Sequence, residues 1–354
     1  MDQALALAER GRGQTSPNPM VGALVVSDDG VVAGTGYHRR AGEAHAEVLA
    51  LGEAAGLARG ATLYCTLEPC SHHGRTGPCA ERILASGIRR VVVALVDPNP
   101  LVGGSGIAYL RERHVDVDVG TRRRPAARLN EAFVTWITKG RPFVVMKIAT
   151  SRDGKITRRP GERTPLTSDL ANEAIHRMRA EVDAIAVGSN TVLVDDPLLT
   201  VRGTDRDRPL MRVVLDRRLR TPVGARLLQT LPHGPVVILA SAGSVTRRGS
   251  AASALRVAGA RLEVLPDDDV SLASALRRLA ELDITSVLLE GGTTIHQAAW
   301  DARVVDRVQR FVAPVYLGPE GVPWLDLSIG DLSDRQVRSY GPDILAEGYV
   351  QRVD

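Results

Sequence analysis

The chain has 354 residues, of which 44% are hydrophobic and 24% are charged. This composition is typical of globular proteins and excludes collagen-like and disordered chains, and the length predicts two domains of roughly 150 residues or more. The net charge of +4 arises from 45 basic and 41 acidic side chains, and this balance argues against a nucleic-acid-binding protein.

The first 120 residues contain alternating patterns of strands and helices. In chain order they predict a helix at 2–10, a hairpin of strands at 21–26 and 31–36, a helix at 45–55, a strand at 61–66, a helix at 79–86 and a strand at 90–96. Strands that alternate with helices predict a mixed or parallel α/β sheet.

An interruption near residue 140 predicts a domain boundary. Residues 126–138 predict one helix, and Lys139-Gly140-Arg141-Pro142 then ends the pattern. We therefore predict one domain at 1–140 and a second α/β domain at 141–354. The second domain is predicted to contain a helix around 169–181 and strands at 143–148, 184–187, 212–215, 236–240, 286–289 and 310–315.

All three cysteines, Cys65, Cys70 and Cys79, lie within one short stretch. An odd, clustered number argues against a disulfide framework and for a reducing compartment, where such a cluster more often binds a metal or takes part in catalysis. The N-terminus lacks the pattern of a signal peptide, and no apolar run approaches the roughly 18 residues of a membrane span. We therefore predict a cytoplasmic protein without membrane association.

His45, Glu47, Cys70 and Cys79 form a pattern typical of zinc-dependent hydrolytic deaminases. One imidazole and two thiolates are three ligands, the number that a catalytic zinc uses when its fourth position is kept for water. Glu47 can take the proton of that water and pass it to a leaving amine. The signature of base deaminases is H-x-E followed by P-C-x-x-C, whereas eight residues separate these two cysteines.

Other interpretations of this pattern stay open. His45 can be a surface histidine and the cysteines small buried hydrophobic residues, although three ligand types around a glutamate favour a metal. His72 and His73 are competing ligands, but they adjoin a polar loop at 74–76 that is better suited to substrate. Cys65 lies within a predicted strand, so we expect it in the core.

Longer segments extend the deaminase pattern. They are Pro17-Asn18-Pro19 with Val21-Gly22, Gly36-Tyr37-His38 with Ala41-Gly42, His45-Ala46-Glu47-Val48, the stretch 66–79 and Asp97-Pro98-Asn99-Pro100. Together they resemble the deaminase half of the bifunctional riboflavin-biosynthesis enzymes, in which a diaminohydroxyphosphoribosylaminopyrimidine deaminase is fused to a 5-amino-6-(5-phosphoribosylamino)uracil reductase. The long spacer between the two cysteines is the variant of that family.

The resemblance implies a cytidine-deaminase-like three-layer domain with zinc on His45, Cys70 and Cys79 and with Glu47 as the proton shuttle. It also implies four substrate-binding residues, which are Asn18, His38, His72 and Arg75. An asparagine offers a donor and an acceptor to a pyrimidinone edge, and an arginine suits a phosphate. The alternatives are that Asn18 only shapes a turn and that Arg75 is a solvated loop charge.

Segments 147–155, 188–202 and 289–292 resemble the reductase half of the same family. This resemblance implies a dihydrofolate-reductase-like domain that uses NADPH to reduce a ribosyl group to ribityl. The substrate-binding residues that it implies are Lys147, Thr167, Arg179, Asp195, Leu199, Arg202 and Glu290. The cofactor-binding residues that it implies are Ala149, Ser151, Gly154, Gly188, Thr191, Gly291 and Gly292.

Physical arguments support part of this assignment. Gly291 and Gly292 follow an apolar strand and precede a predicted helix, so their bare backbone amides can receive phosphates. Asp195 can instead cap a turn, and Arg179 can be a solvated helix residue. The chain departs from the family pattern at Arg152, Pro165 and Thr293. A buried arginine at 152 would be costly, so we expect its loop to expose or pair it.

The resemblance implies as substrate a small phosphorylated pyrimidine, 2,5-diamino-6-(5-phosphoribosylamino)pyrimidin-4(3H)-one, and a homo-oligomer, either a dimer or a tetramer. The nearest alternative is a monofunctional zinc deaminase with a degenerate, non-catalytic reductase-like domain. A nucleic-acid base deaminase would need a basic, aromatic surface, and only 3% of the residues are aromatic. A zinc-stabilised binding module would need a fourth protein ligand.

Overall fold

The structure is a computed structural model that describes residues 1–71, 77–204 and 206–350. The chain divides into two compact units. One runs from Met1 to Gly140 and the other begins at Arg141. None of the helices in the described residues is both long and apolar enough to cross a membrane.

The first unit is built on a five-stranded mixed sheet in the order β2-β1-β3-β4-β5. Strand β1 is antiparallel to β2 and to β3, whereas β3, β4 and β5 are parallel. The strands are β1 (Gly22–Val26), β2 (Val32–Tyr37), β3 (Thr62–Cys65), β4 (Arg90–Val93) and β5 (Asp116–Val119). The helices are α1 (Asp2–Glu9), α2 (Ala46–Ala54), α3 (Cys79–Ala85), α4 (Ser105–Arg111), α5 (Arg123–Leu129) and α6 (Glu131–Lys139), with a 3-10 turn at Ala55–Ala58.

Glycines in the hairpin allow helices to pack closely on both faces of this sheet. A Cβ atom on Gly34 would lie 2.1 Å from the Ala50 carbonyl oxygen in α2, and a Cβ on Gly22 would lie 2.0 Å from the Ala4 oxygen in α1. Gly34 pairs with Val25 of β1, three residues after Gly22. Because neighbouring residues of a strand face opposite sides of a sheet, Gly22 and Gly34 face opposite sides, and α1 and α2 cover opposite faces. This three-layer arrangement fixes the start of α2, which carries His45 and Glu47, against the sheet.

Two differences from the sequence-based prediction occur in this unit. The single helix predicted at 126–138 was wrong, because α5 and α6 are separated at Asn130. The Asn130 side chain accepts a hydrogen bond from the Met20 backbone N–H at 2.7 Å and donates one to the Met20 carbonyl at 2.9 Å. This tertiary pairing holds Asn130 in a non-helical conformation. Helix α4 and strand β5 were not predicted.

The second unit contains a nine-stranded sheet in the order β11-β10-β9-β8-β12-β6-β13-β16-β15. Its strands are β6 (Phe143–Thr150), β8 (Ala184–Gly188), β9 (Met211–Leu215), β10 (Val236–Ser241), β11 (Ala260–Leu265), β12 (Ser286–Leu289), β13 (Arg307–Val312), β15 (Ser333–Tyr340) and β16 (Asp343–Tyr349). The first seven strands of that order run parallel, and β16 and β15 are antiparallel additions. Strands β7 (Lys155–Thr157) and β14 (Val322–Pro323) form a separate antiparallel pair.

Helices connect these strands and cover the sheet. They are α7 (Asp169–Glu181), α8 (Ser189–Asp195), α9 (Ala242–Arg247), α10 (Gly249–Val257), α11 (Leu272–Ala280) and α12 (Thr293–Asp301), with 3-10 turns at Leu228–His233 and Ile329–Asp331. The main core joins strand residues such as Val213, Val237 and Val287 to Leu276 and Leu279 of α11. Parallel strands buried on both faces are continuous apolar runs, which is why their sequences were recognisable.

The strand predicted at 310–315 was misplaced. Strand β13 begins at Arg307 and ends at Val312. The first half of β13 contains the polar residues Arg307 and Gln309. Both donate hydrogen bonds to Glu347 on the neighbouring strand β16, which allows polar residues within this strand. A buried polar network of this kind hides a strand from any search for apolar alternation.

Candidate active sites

Three residues of the first unit converge as a candidate metal centre. The ligand atoms of His45, Cys70 and Cys79 all lie within 4.8 Å of one another. His45 Nδ1 is 3.2 Å from Cys79 Sγ and 3.6 Å from Cys70 Sγ. Zinc bond lengths place tetrahedral nitrogen and sulfur ligands roughly 3.5 Å apart, so one zinc ion fits between these atoms. Cys65, by contrast, is fully buried in the hydrophobic core, as its place in a strand predicted.

Secondary-structure ends position the three ligands. His45 is the N-cap residue of α2, Cys79 is the first residue of α3, and Cys70 lies in the loop that follows β3. The Cys79 backbone N–H donates to Cys70 Sγ at 3.3 Å. Hydrogen bonds from the Cys79 thiol and from His45 lower the pKa of Cys70 to about 4, whereas the contact with Cys70 raises that of Cys79. The thiolate of Cys70 suits a soft metal such as zinc, and a coordinating metal also deprotonates a thiol such as that of Cys79.

Glu47 lies in the first turn of α2 and is only 3% exposed. Burial raises the pKa of its carboxyl to about 7. Among the described residues no group hydrogen-bonds to Glu47 Oε2. A buried carboxylate with a free oxygen beside three metal ligands can accept a proton and donate it again.

Asn18 and His38 meet beside this cluster. His38 Nδ1 is 3.2 Å from the Ala44 carbonyl, and His38 Nε2 is 3.1 Å from Asn18 Nδ2. The carbonyl requires a proton on Nδ1, so Nε2 accepts from the Asn18 amide, and Asn18 Oδ1 is left as an acceptor for a ligand. The His38 and His45 rings pack edge to face with centroids 5.7 Å apart. His72 and Arg75, the other two predicted substrate residues, lie outside the described residues.

Glu68 is a residue of this site whose role the sequence did not reveal. Its buried carboxylate accepts backbone hydrogen bonds from Asp97, Gly104, Gly106 and Ile107 at 2.9 to 3.1 Å. This carboxylate therefore ties the loop after β4 and the start of α4 to the segment that carries Cys70. In the sequence, the signal for this role was that Glu68 lies directly before Pro69-Cys70.

In the second unit a largely buried ionic cluster joins three of the predicted substrate-binding residues. Arg179 of α7 donates from Nε and Nη2 to the two carboxylate oxygens of Glu290, at 2.9 Å each, and Lys147 Nζ of β6 is 3.9 Å from Glu290 Oε2. Burial raises the pKa of Glu290, but the two cations more than offset it and lower the pKa to about 2. Arg179 is thus a buried ion-pair partner and not a solvated helix residue.

His176, which the sequence analysis missed, links Arg202 to this cluster. It lies on α7 one turn before Arg179, and its Nε2 accepts from Arg202 Nε at 3.3 Å. Arg179 Nη1 donates to the Thr200 carbonyl at 3.1 Å. Burial and the nearby arginines lower the pKa of His176, so its ring is neutral near pH 7. The positive charge of the cluster therefore comes from the lysine and the two arginines.

A cavity of about 580 Å³ opens at the carboxyl ends of β8, β9 and β10. Its walls include Gly188, Thr191 and Gly292. A Cβ atom on Gly291 would lie 3.2 Å from Thr191 Oγ1, so the turn after β12 closely approaches the start of α8. The bare backbone at Gly291 and Gly292, followed by α12, fits the phosphates of a dinucleotide. Four of the predicted cofactor-binding residues therefore lie together.

Other predicted residues lie elsewhere in this unit. Ala149, Ser151 and Gly154 belong to β6 and the turn that follows it, where Ser151 is fully buried and its hydroxyl donates to Asp153 at 2.6 Å. Thr167 donates to Asn172 at 2.7 Å near the start of α7, and Leu199 has a buried side chain. Asp195 ends α8, and burial raises its pKa.

Comparison with known proteins identifies the family. Residues 1–95 match the family described as cytidine and deoxycytidylate deaminase zinc-binding region, and residues 142–346 match the RibD C-terminal domain. The riboflavin biosynthesis protein RibD of Aquifex aeolicus is 42% identical over 95% of this chain and 90% of its own length. That of Escherichia coli K12 is 36% identical over 97% of this chain and 96% of its own. The chain belongs to the RibD family.

Solved RibD structures share this fold. Acinetobacter baumannii RibD superposes with a TM-score of 0.85 at 33% identity and covers 99% of this chain and 98% of its own. A Thermotoga maritima deaminase/reductase superposes with a TM-score of 0.82 at 34% identity, over 98% and 96% of the two chains. The prediction of a cytidine-deaminase-like domain followed by a dihydrofolate-reductase-like domain is confirmed.

Membership in the RibD family also confirms the predicted activity. The chain is a bifunctional deaminase and reductase of riboflavin biosynthesis that uses zinc and NADPH, and it acts on a small molecule. The alternative of a deaminase with a degenerate second domain is not favoured. At the departures from the RibD pattern, Arg152 is exposed as its charge requires, and the Thr293 hydroxyl donates to the Pro323 carbonyl at 2.8 Å.

Proposed function

We propose that residues 1–140 carry out the deamination and residues 141–354 the reduction of the same substrate. That substrate is 2,5-diamino-6-(5-phosphoribosylamino)pyrimidin-4(3H)-one. The support is the convergence of His45, Cys70 and Cys79 beside the buried Glu47. The Thermotoga maritima relative is described as a diaminohydroxyphosphoribosylaminopyrimidine deaminase and 5-amino-6-(5-phosphoribosylamino)uracil reductase, which names the chemistry proposed here.

In the deaminase site, His45, Cys70 and Cys79 would hold zinc, and three protein ligands are the number typical of a catalytic zinc. When bound, the metal activates a water molecule for attack on the ring carbon that carries the amine. Glu47 would accept a proton during this attack and deliver it to the leaving nitrogen, which departs as ammonia. Burial of Glu47 supports this role, because a carboxyl with a pKa near neutrality both accepts and releases a proton readily.

Asn18 and His38 orient the pyrimidine. Their mutual hydrogen bond fixes the Asn18 amide with Oδ1 as a free acceptor, which can take a ring or amine N–H of the substrate. His72 and Arg75 are also proposed as substrate contacts, on the basis of the family resemblance alone.

In the reductase site, NADPH supplies the hydride when bound, and the chain orients the sugar phosphate towards it. Lys147, Arg179 and Arg202 form the basic cluster for the phosphorylated ribose. Glu290 holds Lys147 and Arg179 in place, and its pKa of about 2 keeps it ionised. Gly188, Thr191, Gly291 and Gly292 form the cofactor wall, while Ala149, Ser151, Gly154, Thr167, Asp195 and Leu199 retain the roles implied by the family resemblance.

The cellular setting completes the proposal. All three cysteines lie in the described part of the chain and none forms a disulfide, which supports a reducing compartment and thus a cytoplasmic location. We also propose a homo-oligomer, a dimer or tetramer, on the basis of the family resemblance. Light scattering after size exclusion distinguishes these states from a monomer.

A coupled assay tests the two-step function. Zinc-loaded protein and the diaminopyrimidine should release ammonia without NADPH and should oxidise NADPH only after deamination. Supplying the deaminated compound to a Glu47→Gln variant should restore NADPH oxidation without ammonia release. NADPH oxidation by that variant with the original diamino compound would overturn the proposed order, and no oxidation with the deaminated compound would overturn the reductase assignment.

A further inference from the structure

Arginines form the side of the reductase cavity opposite the glycine turn. The loop that follows β9 contributes Arg217, Arg218 and Arg220 to the lining, whereas Gly292 follows β12. The substrate and cofactor roles proposed for the other residues do not explain why three arginines line this cavity.

The arginine loop is built on buried anchors. Asp216 is fully buried, and its Oδ2 accepts the Thr221 backbone N–H and the Thr221 hydroxyl at 2.7 Å each. Leu219 is 1% exposed, and its carbonyl accepts from Arg248 at 2.6 Å. Arg217 is held through its carbonyl, which accepts from Ser241 N–H of β10 at 3.1 Å. The buried residues Asp216, Leu219 and Thr221 anchor the loop between its exposed arginines, so the loop presents these arginines from a fixed backbone.

The charges of Arg217 and Arg218 are not neutralised within the described part of the chain. Both residues are exposed, and neither forms an ion pair or a side-chain hydrogen bond with a described residue. Arg220 differs, because its Nη2 donates to Ser189 Oγ at 2.8 Å. In the neighbouring Asp216 carboxylate, Oδ2 accepts from Thr221, and Oδ1 is buried without a hydrogen-bond partner among the described residues, so neither oxygen pairs with Arg217 or Arg218. The cavity therefore offers two free guanidinium groups, which bind phosphate in a bidentate manner.

The order of the sheet places these groups at a defined distance from the glycine turn. Strand β9 is two positions from β12, with β8 between them. Adjacent strands are about 4.8 Å apart, so the ends of β9 and β12 are about 10 Å apart. In a dinucleotide the adenosine ribose is attached to the pyrophosphate. With the pyrophosphate bound at Gly291 and Gly292, this ribose extends to the end of β9. Apolar residues at this end of the cavity, including Val270, Leu272 and Ala275, suit an adenine ring.

We propose that Arg217 and Arg218 bind the 2′-phosphate of NADPH and thereby set the preference for NADPH over NADH. This assignment rests on the cofactor site proposed above. The 2′-phosphate is the group that distinguishes the two cofactors, and two unpaired guanidinium groups on a rigid loop match its charge.

Direct binding to the full-length protein tests the assignment without any turnover. The probes are adenosine 2′,5′-bisphosphate and adenosine 5′-monophosphate, which differ only in the 2′-phosphate, and calorimetry gives their dissociation constants. The wild-type chain should bind the bisphosphate more tightly. Arg217→Ala and Arg218→Ala should each weaken it on the order of tenfold, as expected for the loss of one charge-assisted hydrogen bond, and leave the monophosphate unchanged.

Two matched variants control for charge and folding. Arg256→Ala removes an exposed arginine from α10, outside the cavity lining, and should leave both dissociation constants unchanged. Arg218→Lys should recover part of the bisphosphate affinity, because it keeps the charge but not the planar fork. In steady-state assays the double variant should raise the KM for NADPH with little change in that for NADH.

The outcomes separate this inference from the reductase assignment. Bisphosphate binding that depends on Arg217 and Arg218 in a protein that does not oxidise NADPH would support the inference while the reductase chemistry fails. Equal weakening of both probes would overturn it, because the arginines would then hold the shared 5′-phosphate. Unchanged bisphosphate binding in the double variant would overturn it as well.

Discussion

Arg179 and Glu290 form a largely buried, bidentate ion pair, with the two carboxylate oxygens each 2.9 Å from one of the guanidinium nitrogens Nε and Nη2. The two residues are 111 positions apart in the sequence. Arg179 is on α7, and Glu290 follows β12. This fork is occupied by a protein carboxylate, and Nη1 donates to the Thr200 carbonyl at 3.1 Å. Arg179 therefore offers a substrate phosphate only the N–H groups left over on Nη1 and Nη2, or it acts by fixing Glu290 beside Lys147.

The first prediction concerns this pair. Glu290→Gln should lower the kcat/KM of the reductase by at least about tenfold, because Arg179 and Lys147 lose the negative charge that orients them. Deamination should be unaffected. Glu263→Gln is the matched control, since Glu263 is also a buried carboxylate paired with arginines but lies on β11. Equal reductase losses in the two variants would indicate a general folding defect instead.

The second prediction concerns Glu47. Glu47→Gln should lower the rate of ammonia release by about 100-fold or more, because the amide cannot carry the proton, while zinc content stays at one per chain. Glu53→Gln, on the exposed side of the same helix, should be close to wild type. Near-normal deamination in the Glu47 variant would assign proton transfer to another group.

The third prediction distinguishes ligand cysteines from the core cysteine. Cys79→Ser should lose most of the bound zinc and the deaminase activity, because a serine hydroxyl is a poor substitute for a thiolate ligand. Cys65→Ala should retain one zinc per chain, since Cys65 is buried in the core and lies outside the ligand cluster. Metal analysis of both proteins after dialysis is the measurement. Zinc loss from the Cys65 variant alone would contradict the ligand assignment.

The fourth prediction concerns the domain boundary. Arg141 donates to both oxygens of Asp306 at 2.6 and 2.7 Å, and Asp306 also accepts the Val144 N–H at 2.9 Å. A fragment that begins at Arg141 should therefore be about 3 to 5 kcal/mol more stable to urea than one that begins at Phe143, because the shorter fragment leaves Asp306 buried without its cation.

The complementary fragment of residues 1–140 should be soluble and should deaminate, since it contains its own sheet and its own core. Equal stability of the two C-terminal fragments would show that Arg141 does not belong to the second domain. An insoluble N-terminal fragment would place the boundary elsewhere.

The fifth prediction concerns acid stability. His296 is buried, accepts from Trp324 Nε1 at 3.0 Å and is 3.3 Å from the Leu289 carbonyl, and burial lowers its pKa to about 4. An unfolded histidine titrates near 6.5, so between about pH 6.5 and 4 the unfolded state binds more protons. The free energy of unfolding should therefore fall as the pH falls through this window, by roughly 3 kcal/mol in total.

Urea unfolding at pH 7.5 and pH 5 measures this dependence. His296→Gln should reduce it, because glutamine does not titrate, whereas His233→Gln, at an exposed site, should not. The same dependence in both variants would assign the acid sensitivity to other groups.

Local features of the sequence were sufficient for the zinc site and for much of the fold. His45, Glu47, Cys70 and Cys79 were identifiable because a catalytic metal needs particular donor atoms, and these lie within 35 residues. Helix α7 was predicted around 169–181, which are its observed bounds, and the structure shows that its cap is also local, because the Ser168 side chain accepts from the Ala171 backbone N–H. The buried parallel strands were recognisable as apolar runs for the same reason.

Only the tertiary structure decided which distant groups meet. The break at Asn130 depends on Met20, 110 residues away, and the pairing of Arg179 depends on Glu290, 111 residues away. Neither hydrogen bond leaves a trace in the spacing of nearby residues, because strand order brings the partners together. The same holds for Arg217 and Arg218, which are ordinary surface arginines in the sequence. They line the cofactor cavity only because β9 lies two strands from β12.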